Sequence, residues 1–150
     1  MLQLERTTPH NLDFVAMVAA LNKELAALDG EEEHAFYMQF NQLDDLTHVI
    51  VAYQEGKAVC CGALKPFSTT HMEVKRMFTP PKFRKNGFAL NLLSELERWA
   101  KELGFSHCIL ETGKRQPVAV AMYHRAGYHV IPNYGQYATD ENSICFEKQL

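Results

Sequence analysis

The chain contains no apolar run approaching the roughly 18 residues that would span a bilayer, and its first residues lack the charged, apolar and small-residue succession of a secretory signal. These two absences give the expectation of a cytoplasmic protein with no membrane partner. Basic residues are not in surplus either: 15 Lys and Arg stand against 18 Asp and Glu, a formal net charge of -3. General nucleic-acid binding needs a basic surface, so no nucleic-acid partner is expected. The four cysteines, Cys60, Cys61, Cys108 and Cys145, make no C-x-x-C pair, and all lie in apolar, strand-like contexts. That spacing excludes a zinc ribbon and a disulfide framework and points to buried free thiols. A nucleophilic cysteine would require an electropositive setting. No set of His, Asp and Cys has ligand spacing, so no metal is expected. Repeats, low-complexity tracts and linkers are missing as well, and 150 residues suit one domain, 1–150, with a sizeable core.

What is present reads as alternating strands and helices. LQLER begins as a strand, and Thr7-Thr8-Pro9 leads into a helix ending near Asp29-Gly30. Along it Phe14, Val15, Val18, Leu21, Leu25 and Leu28 recur at helical spacing. A shorter helix is expected over Glu31 to Phe40, with Glu31-Glu32-Glu33 at its positive end. THVIVAYQ and KAVCCGALKPF, joined by Glu55-Gly56, read as a β-hairpin. A strand from about Thr70 to Phe78 follows, and then a helix after Gly87. That helix carries Phe88, Leu92, Leu93, Leu96, Trp99, Ala100 and Leu103 on one side and stops at Gly104. SHCILET is a strand, Pro117 to Ala126 a short helix, and YHVI and SICFEK the last two strands. The order β-α-α-β-β-β-α-β-α-β-β suggests a mixed sheet with helices on both faces, a mixed α/β fold.

The most informative segment is EVKRMFTPPKFRKNGFALNLL, from Glu73 to Leu93. A strand passes through Pro80-Pro81 into a loop bearing Lys82, Arg84 and Lys85, and Asn86-Gly87 opens a helix. The unpaired N–H groups of a first helical turn and the positive end of the macrodipole make such a junction an anion site. With Lys75 and Arg76, these cations form a local cluster in an acidic chain, and phosphate is the expected guest.

Arg84-Lys85-Asn86-Gly87-Phe88-Ala89, with Leu92-Leu93 after it, resembles the coenzyme signature of the GNAT superfamily of N-acetyltransferases. RMFTPP supplies the preceding strand and turn. Gln116-x-x-Ala119-x-x-Met122-Tyr123-x-x-x-Gly127-Tyr128 is similar to the family's second motif, with Gln116 for the common Asn and Met122 for the common Leu. LETG and IPNYGQY resemble a bacterial sub-branch acting on small molecules. The resemblance implies a GNAT-like fold: a mostly antiparallel sheet of six or seven strands, splayed between the fourth and fifth, with about four flanking helices. It also implies acetyl-coenzyme A as co-substrate.

Carried onto this chain, the resemblance places pantetheine along the backbone of Met77, Phe78 and Thr79. It places pyrophosphate on the N–H groups of Arg84, Lys85, Asn86, Gly87, Phe88 and Ala89, with Gln116 and Tyr123 also on the coenzyme side. Tyr123 takes the role of acid toward the leaving thiolate, and the N–H of Met77 or Phe78 that of oxyanion donor. Glu73 stands eleven positions before Arg84, where the histone-acetylating branch keeps a glutamate base. Glu111 or a water chain are alternatives for the base. Read without the resemblance, Tyr123 is a core aromatic and Glu73 a strand carboxylate beside Lys75 and Arg76. His71, His107, His124 and His129 read as structural or exposed.

Tyr37, Phe40, Glu111, Asn133, Tyr134 and Tyr137 are candidates for the acceptor site, whose aromatic walls suit the primary amine of a small molecule. A protein lysine or N-terminal acetyltransferase is a second reading. A third is a non-catalytic coenzyme A sensor, which the joint presence of Glu73 and Tyr123 disfavours. A homodimer is one assembly that the family allows.

Overall fold

The computed structural model describes residues 1–30, 32, 35 and 45–150. Its strands are β1 (Leu2–Thr7), β2 (His48–Gln54), β3 (Lys57–Pro66), β4 (His71–Phe78), β5 (His107–Gly113), β6 (His129–Ile131) and β7 (Ser143–Gln149). Its helices are α1 (Leu12–Asp29), α2 (Phe88–Glu102) and α3 (Pro117–Arg125). Of the helix expected over 31–40, Glu32 and Ala35 are among the described residues and are helical; the rest lies outside them. Among the described residues no helix is long and apolar enough to cross a membrane.

Two compact units share the chain: Met1–Lys65 with Val74–Leu96, and Pro66–Glu73 with Glu97–Leu150. In the first, strands run in the order β1-β2-β3-β4, with β1, β2 and β3 antiparallel neighbours. Glu55 and Gly56 link β2 to β3 with φ of 52° and 78°. Two positive φ values are what a type I′ hairpin turn requires, and its twist matches the strands. Alternation then sorts the side chains. Val49, Val51, Cys61 and Ala63 join Phe14, Met17, Val18 and Leu21 of α1 in one core. The opposite face includes Gly62, where an added Cβ would lie 2.8 Å from Leu92 and 3.0 Å from Leu96 of α2. Asn11 caps α1 by accepting from the Phe14 N–H at 3.0 Å. Val15 and Leu28, at helical spacing in the sequence, are 40% and 43% exposed, so the buried stripe of α1 is narrower than its apolar pattern.

In the second unit the order is β4-β5-β7-β6. The last strand in sequence is inserted between β5 and β6, antiparallel to both. The pairing of β4 with β5 is parallel and covers three rungs, His71↔His107 to Glu73↔Ile109. It ends at the strand pair where the resemblance implies a splay. Directly paired residues share a face of the sheet. One face therefore carries His71, Glu73, His107, Ile109, Glu111, Cys145 and Glu147. Met72, Cys108, Leu110 and Phe146 line the other and are fully buried. The Gly104 N–H meets the Lys101 carbonyl and the Phe105 N–H that of Ala100, closing α2 with φ +94° at Gly104. All four cysteines are free and buried, as their apolar settings predict.

Candidate active site

The segment expected to hold an anion belongs to the first unit. Arg76, in the middle of β4, has φ +57°, a left-handed conformation that strand residues avoid. This irregularity lies just before Met77–Thr79, the backbone stretch assigned to pantetheine. It is held by buried contacts. The Arg76 guanidinium donates to Asn22 Oδ1 on α1, and the Cys61 thiol donates to the Arg76 carbonyl at 3.5 Å. The Thr79 hydroxyl donates to Cys60 Sγ at 3.2 Å.

Beyond the Pro80-Pro81 turn the loop is fixed by its own arginine. Arg84 Nε donates to the Thr79 carbonyl at 2.8 Å, and Nη2 reaches both Glu24 carboxylate oxygens at 2.9 and 2.8 Å. Lys85 and Gly87 then take φ of +67° and +77°, with Asn86 between them donating to the Phe83 and Arg84 carbonyls. Left-handed residues set between ordinary ones turn successive N–H groups into one concavity, a backbone nest for an anion. α2 begins at the next residue and adds its dipole. Apart from Gly87 and its chain neighbours, no atom of the described residues lies within 4 Å of where a Gly87 Cβ would project, so the backbone is open to a ligand there. These residues fit a pyrophosphate. The five-cation cluster of the sequence needs correction, however. Lys75 and Arg76 are buried and the exposed Arg84 is engaged by Glu24, leaving Lys82 and Lys85 as the exposed cations of that set outside an ion pair among the described residues.

The second unit holds the carboxylates. Glu73 is 4% exposed and accepts from the Tyr134 hydroxyl at 2.7 Å. Burial first, and then the Glu73 charge and hydrogen bond, push the Tyr134 phenol far above its ordinary value, so it stays a donor. Phe67 packs edge-on against Tyr134 at 5.1 Å, and Tyr137 does so from another side at 5.8 Å. Burial likewise raises Tyr137, with Glu111 and Glu73 adding to the shift. Both carboxylates thus act on the same aromatic group, as their common sheet face requires. Glu111 Oε2 accepts from the Ser143 hydroxyl at 2.6 Å. Asn133 donates to the Asp140 and Ser143 carbonyls at 3.0 and 3.1 Å, which ties the β6–β7 connection together.

Tyr123 sits on the other face of the same sheet, buried against Phe146 and Tyr128 with ring centroids 5.9 Å away in each case. Pro117 opens its helix, with Gln116 at the cap position. Within this unit Glu73, Tyr134, Tyr137 and Glu111 are therefore gathered on one side, and Tyr123 stands apart from them. Tyr37 and Phe40 lie outside the described residues. Sequence reasoning missed Asn22 and Glu24, whose helical context looks like ordinary surface, Phe67 and Asp140, which lie between strands, and Ser143, the first residue of β7. The only available signal was a set of cations beside the nest that needed counter-charges.

A mixed sheet with an interrupted parallel strand pair, and a backbone nest feeding a helix, fit an acyl-coenzyme A transferase type of fold. The acetyltransferase (GNAT) family model matches residues 15–128. The chain is 31% identical to an IAA acetyltransferase of Azospirillum brasilense over 149 residues, 98% of this chain and 97% of that one. It resembles the solved structure of an acyl-CoA N-acyltransferase from Klebsiella pneumoniae, with 28% identity and a TM-score of 0.84, over 100% of this chain and 98% of the other. The PaiA N-acetyltransferase of Thermoplasma acidophilum, solved in complex with coenzyme A, shares the fold at 17% identity and a TM-score of 0.77, covering 100% and 99% of the two chains. The chain belongs to the GNAT family of acetyltransferases.

Proposed function

We propose that this protein, as a single GNAT domain, transfers an acetyl group from acetyl-coenzyme A to the primary amine of a small molecule. The observation that carries this reading is the nest at Arg84–Gly87 at the head of α2, formed with left-handed Lys85 and Gly87 by the segment that resembles the family's coenzyme signature. When bound, acetyl-coenzyme A supplies an acetyl group activated as a thioester. The nest and the start of α2 hold the pyrophosphate, and the backbone of Met77–Thr79 pairs with the pantetheine amides. An N–H of Met77 or Phe78 meets the acyl oxygen.

Glu73 takes the proton from the attacking amine, while Tyr134 holds the carboxylate in place through its 2.7 Å hydrogen bond. A new C–N bond forms, the C–S bond breaks, and Tyr123 returns a proton to the departing sulfur. Phe67 and Tyr134 offer aromatic surface, with the buried Tyr137 packed against Tyr134, beside the carboxylates of Glu73 and Glu111 on one sheet face. That combination favours a small cationic amine over an extended chain.

The test is an acceptor screen in which released coenzyme A is detected by its free thiol. Small primary amines are offered beside lysine-containing and free-N-terminus peptides. Turnover with the small amines supports the reading. Turnover confined to peptides would replace it with protein acetylation, and coenzyme binding without turnover on any acceptor with a sensor.

A further inference from the structure

We propose that His71, His107 and Glu147 form a binding site for a divalent transition-metal ion of the zinc class. One ligand atom from each residue lies within 4.8 Å of the others, and all three residues are partly accessible. The sheet brings them together. His71 and His107 occupy the first rung of the parallel β4–β5 pairing, and Glu147 faces Ile109 from β7, on the same side. The imidazoles are stacked with centroids 4.5 Å apart and planes 4° from parallel.

The outer partners of both rings suit ligation. His71 Nδ1 meets the Thr70 hydroxyl at 2.7 Å, and His107 Nδ1 meets the Ser106 hydroxyl at 2.7 Å. The Ser106 hydroxyl donates to the Thr70 carbonyl at 3.2 Å, so it accepts from His107 Nδ1–H. That tautomer leaves the His107 Nε2 lone pair for a cation, the arrangement by which ligating histidines are oriented. His71 Nε2 lies 3.0 Å from Glu147 Oε2, a hydrogen bond when that nitrogen carries the proton. A metal ion entering there replaces that proton, which passes to solvent. Two imidazoles and one carboxylate match the donor preference of Zn²⁺, with water completing the coordination. His129 lies opposite Glu147 at the rim, its Nε2 3.9 Å from Oε1.

Sequence spacing gave no hint of this cluster, because its members come from three strands distant in the chain. A bound ion would fasten β4, β5 and β7 together at the first rung of the β4–β5 pairing, a role independent of acetyl transfer.

The experiment titrates Co²⁺, and then Zn²⁺, into the folded chain without a polyhistidine tag. One equivalent of Co²⁺ should give ligand-field bands without a sulfur-to-cobalt charge-transfer band, and Zn²⁺ should displace it and raise the melting temperature. His71→Gln and His107→Gln should each weaken binding on the order of 10- to 100-fold, whereas His10→Gln should not. Should either variant fail to fold, Zn²⁺-induced shifts of the imidazole resonances in the unaltered protein must fall on His71 and His107. Absence of stoichiometric binding, a thiolate band, variants that bind normally, or shifts confined to other histidines would each overturn the proposal.

Discussion

The Tyr134 hydroxyl donates to Glu73 Oε2 at 2.7 Å, and Glu73 is 4% exposed. That hydrogen bond fixes the orientation of a buried carboxylate on the face it shares with Glu111. Glu73→Gln should lower kcat on the order of 10²- to 10⁴-fold, the usual contribution of a general base. Affinity for acetyl-coenzyme A should be preserved, and steady-state kinetics with a calorimetric binding assay checks both. Retained kcat would move the role of base to Glu111 or to water. Tyr134→Phe removes the donor and should destabilise the fold by about 1–3 kcal/mol, because a buried acceptor is left unpaired. Denaturant unfolding measures that loss.

Tyr123 is buried against Phe146 on the opposite sheet face. Tyr123→Phe keeps this packing and removes only the hydroxyl. It should reduce kcat by about 100-fold while leaving the KM for acetyl-coenzyme A within a small factor. An equal fall in stability and rate would instead assign Tyr123 to the core alone.

Two glycines of the first unit separate backbone strain from crowding. Gly87 has φ +77° with open space around it, so Gly87→Ala costs only the left-handed conformation, about 1–2 kcal/mol. The added methyl projects from the nest, and acetyl-coenzyme A binding should weaken as well. Gly62→Ala would set its Cβ 2.5 Å from Met77 Sδ and 2.8 Å from Leu92 Cδ2, and should destabilise by about 1–3 kcal/mol through overpacking. Thermal unfolding with and without the coenzyme distinguishes the two.

Burial pushes the thiols of Cys60 and Cys145 up to about 11 and that of Cys108 up to about 12, from an ordinary value of 9.0. The sign follows from proton counting. Above pH 9 the unfolded chain loses thiol protons that the native state retains, so stability falls as pH rises. The contribution is complete below about pH 9 and is lost as pH climbs through 11 to 12. Urea midpoints between pH 8 and 11 should therefore decline. A thiol reagent at pH 8 should label the native protein slowly and the denatured protein at all four cysteines.

Arg84 joins the Thr79 carbonyl to Glu24, with its side chain 40% exposed. Because solvent screens such a pair, Arg84→Ala should cost no more than about 1 kcal/mol in stability. Its larger effect should be a raised KM for acetyl-coenzyme A, since the loop that carries the nest loses its tether. An unchanged KM would mean that Lys85, Gly87 and the head of α2 hold the nest unaided.

Much of this architecture was legible because it is local. Glu55-Gly56 specifies a tight hairpin, Gly104 and Gly127 stop helices, and Asn86-Gly87 marks the entry to α2. Each depends on backbone conformations encoded within a few residues. The buried stripe of α1 was less legible: Val15 and Leu28 fit the helical period, yet tertiary packing leaves them in solvent. The charge around the nest was misread for a similar reason. Nothing near Arg76 or Arg84 in the sequence indicates that α1, more than 50 residues earlier, supplies Asn22 and Glu24 as their partners.

The order of the described elements, the nest and the family motifs at Arg84–Ala89 and Gln116–Tyr128 follow from the amino-acid sequence alone, since helix caps, turns and glycine positions act over short range. Tertiary structure decided which side chains meet. The insertion of β7 between β5 and β6 puts Glu147 beside His71 and Ser143 beside Glu111. The pleat then gathers Glu73 and Glu111 on one face and leaves Tyr123 on the other. Such neighbours are set by strand pairing between distant segments, which no local pattern in the sequence records.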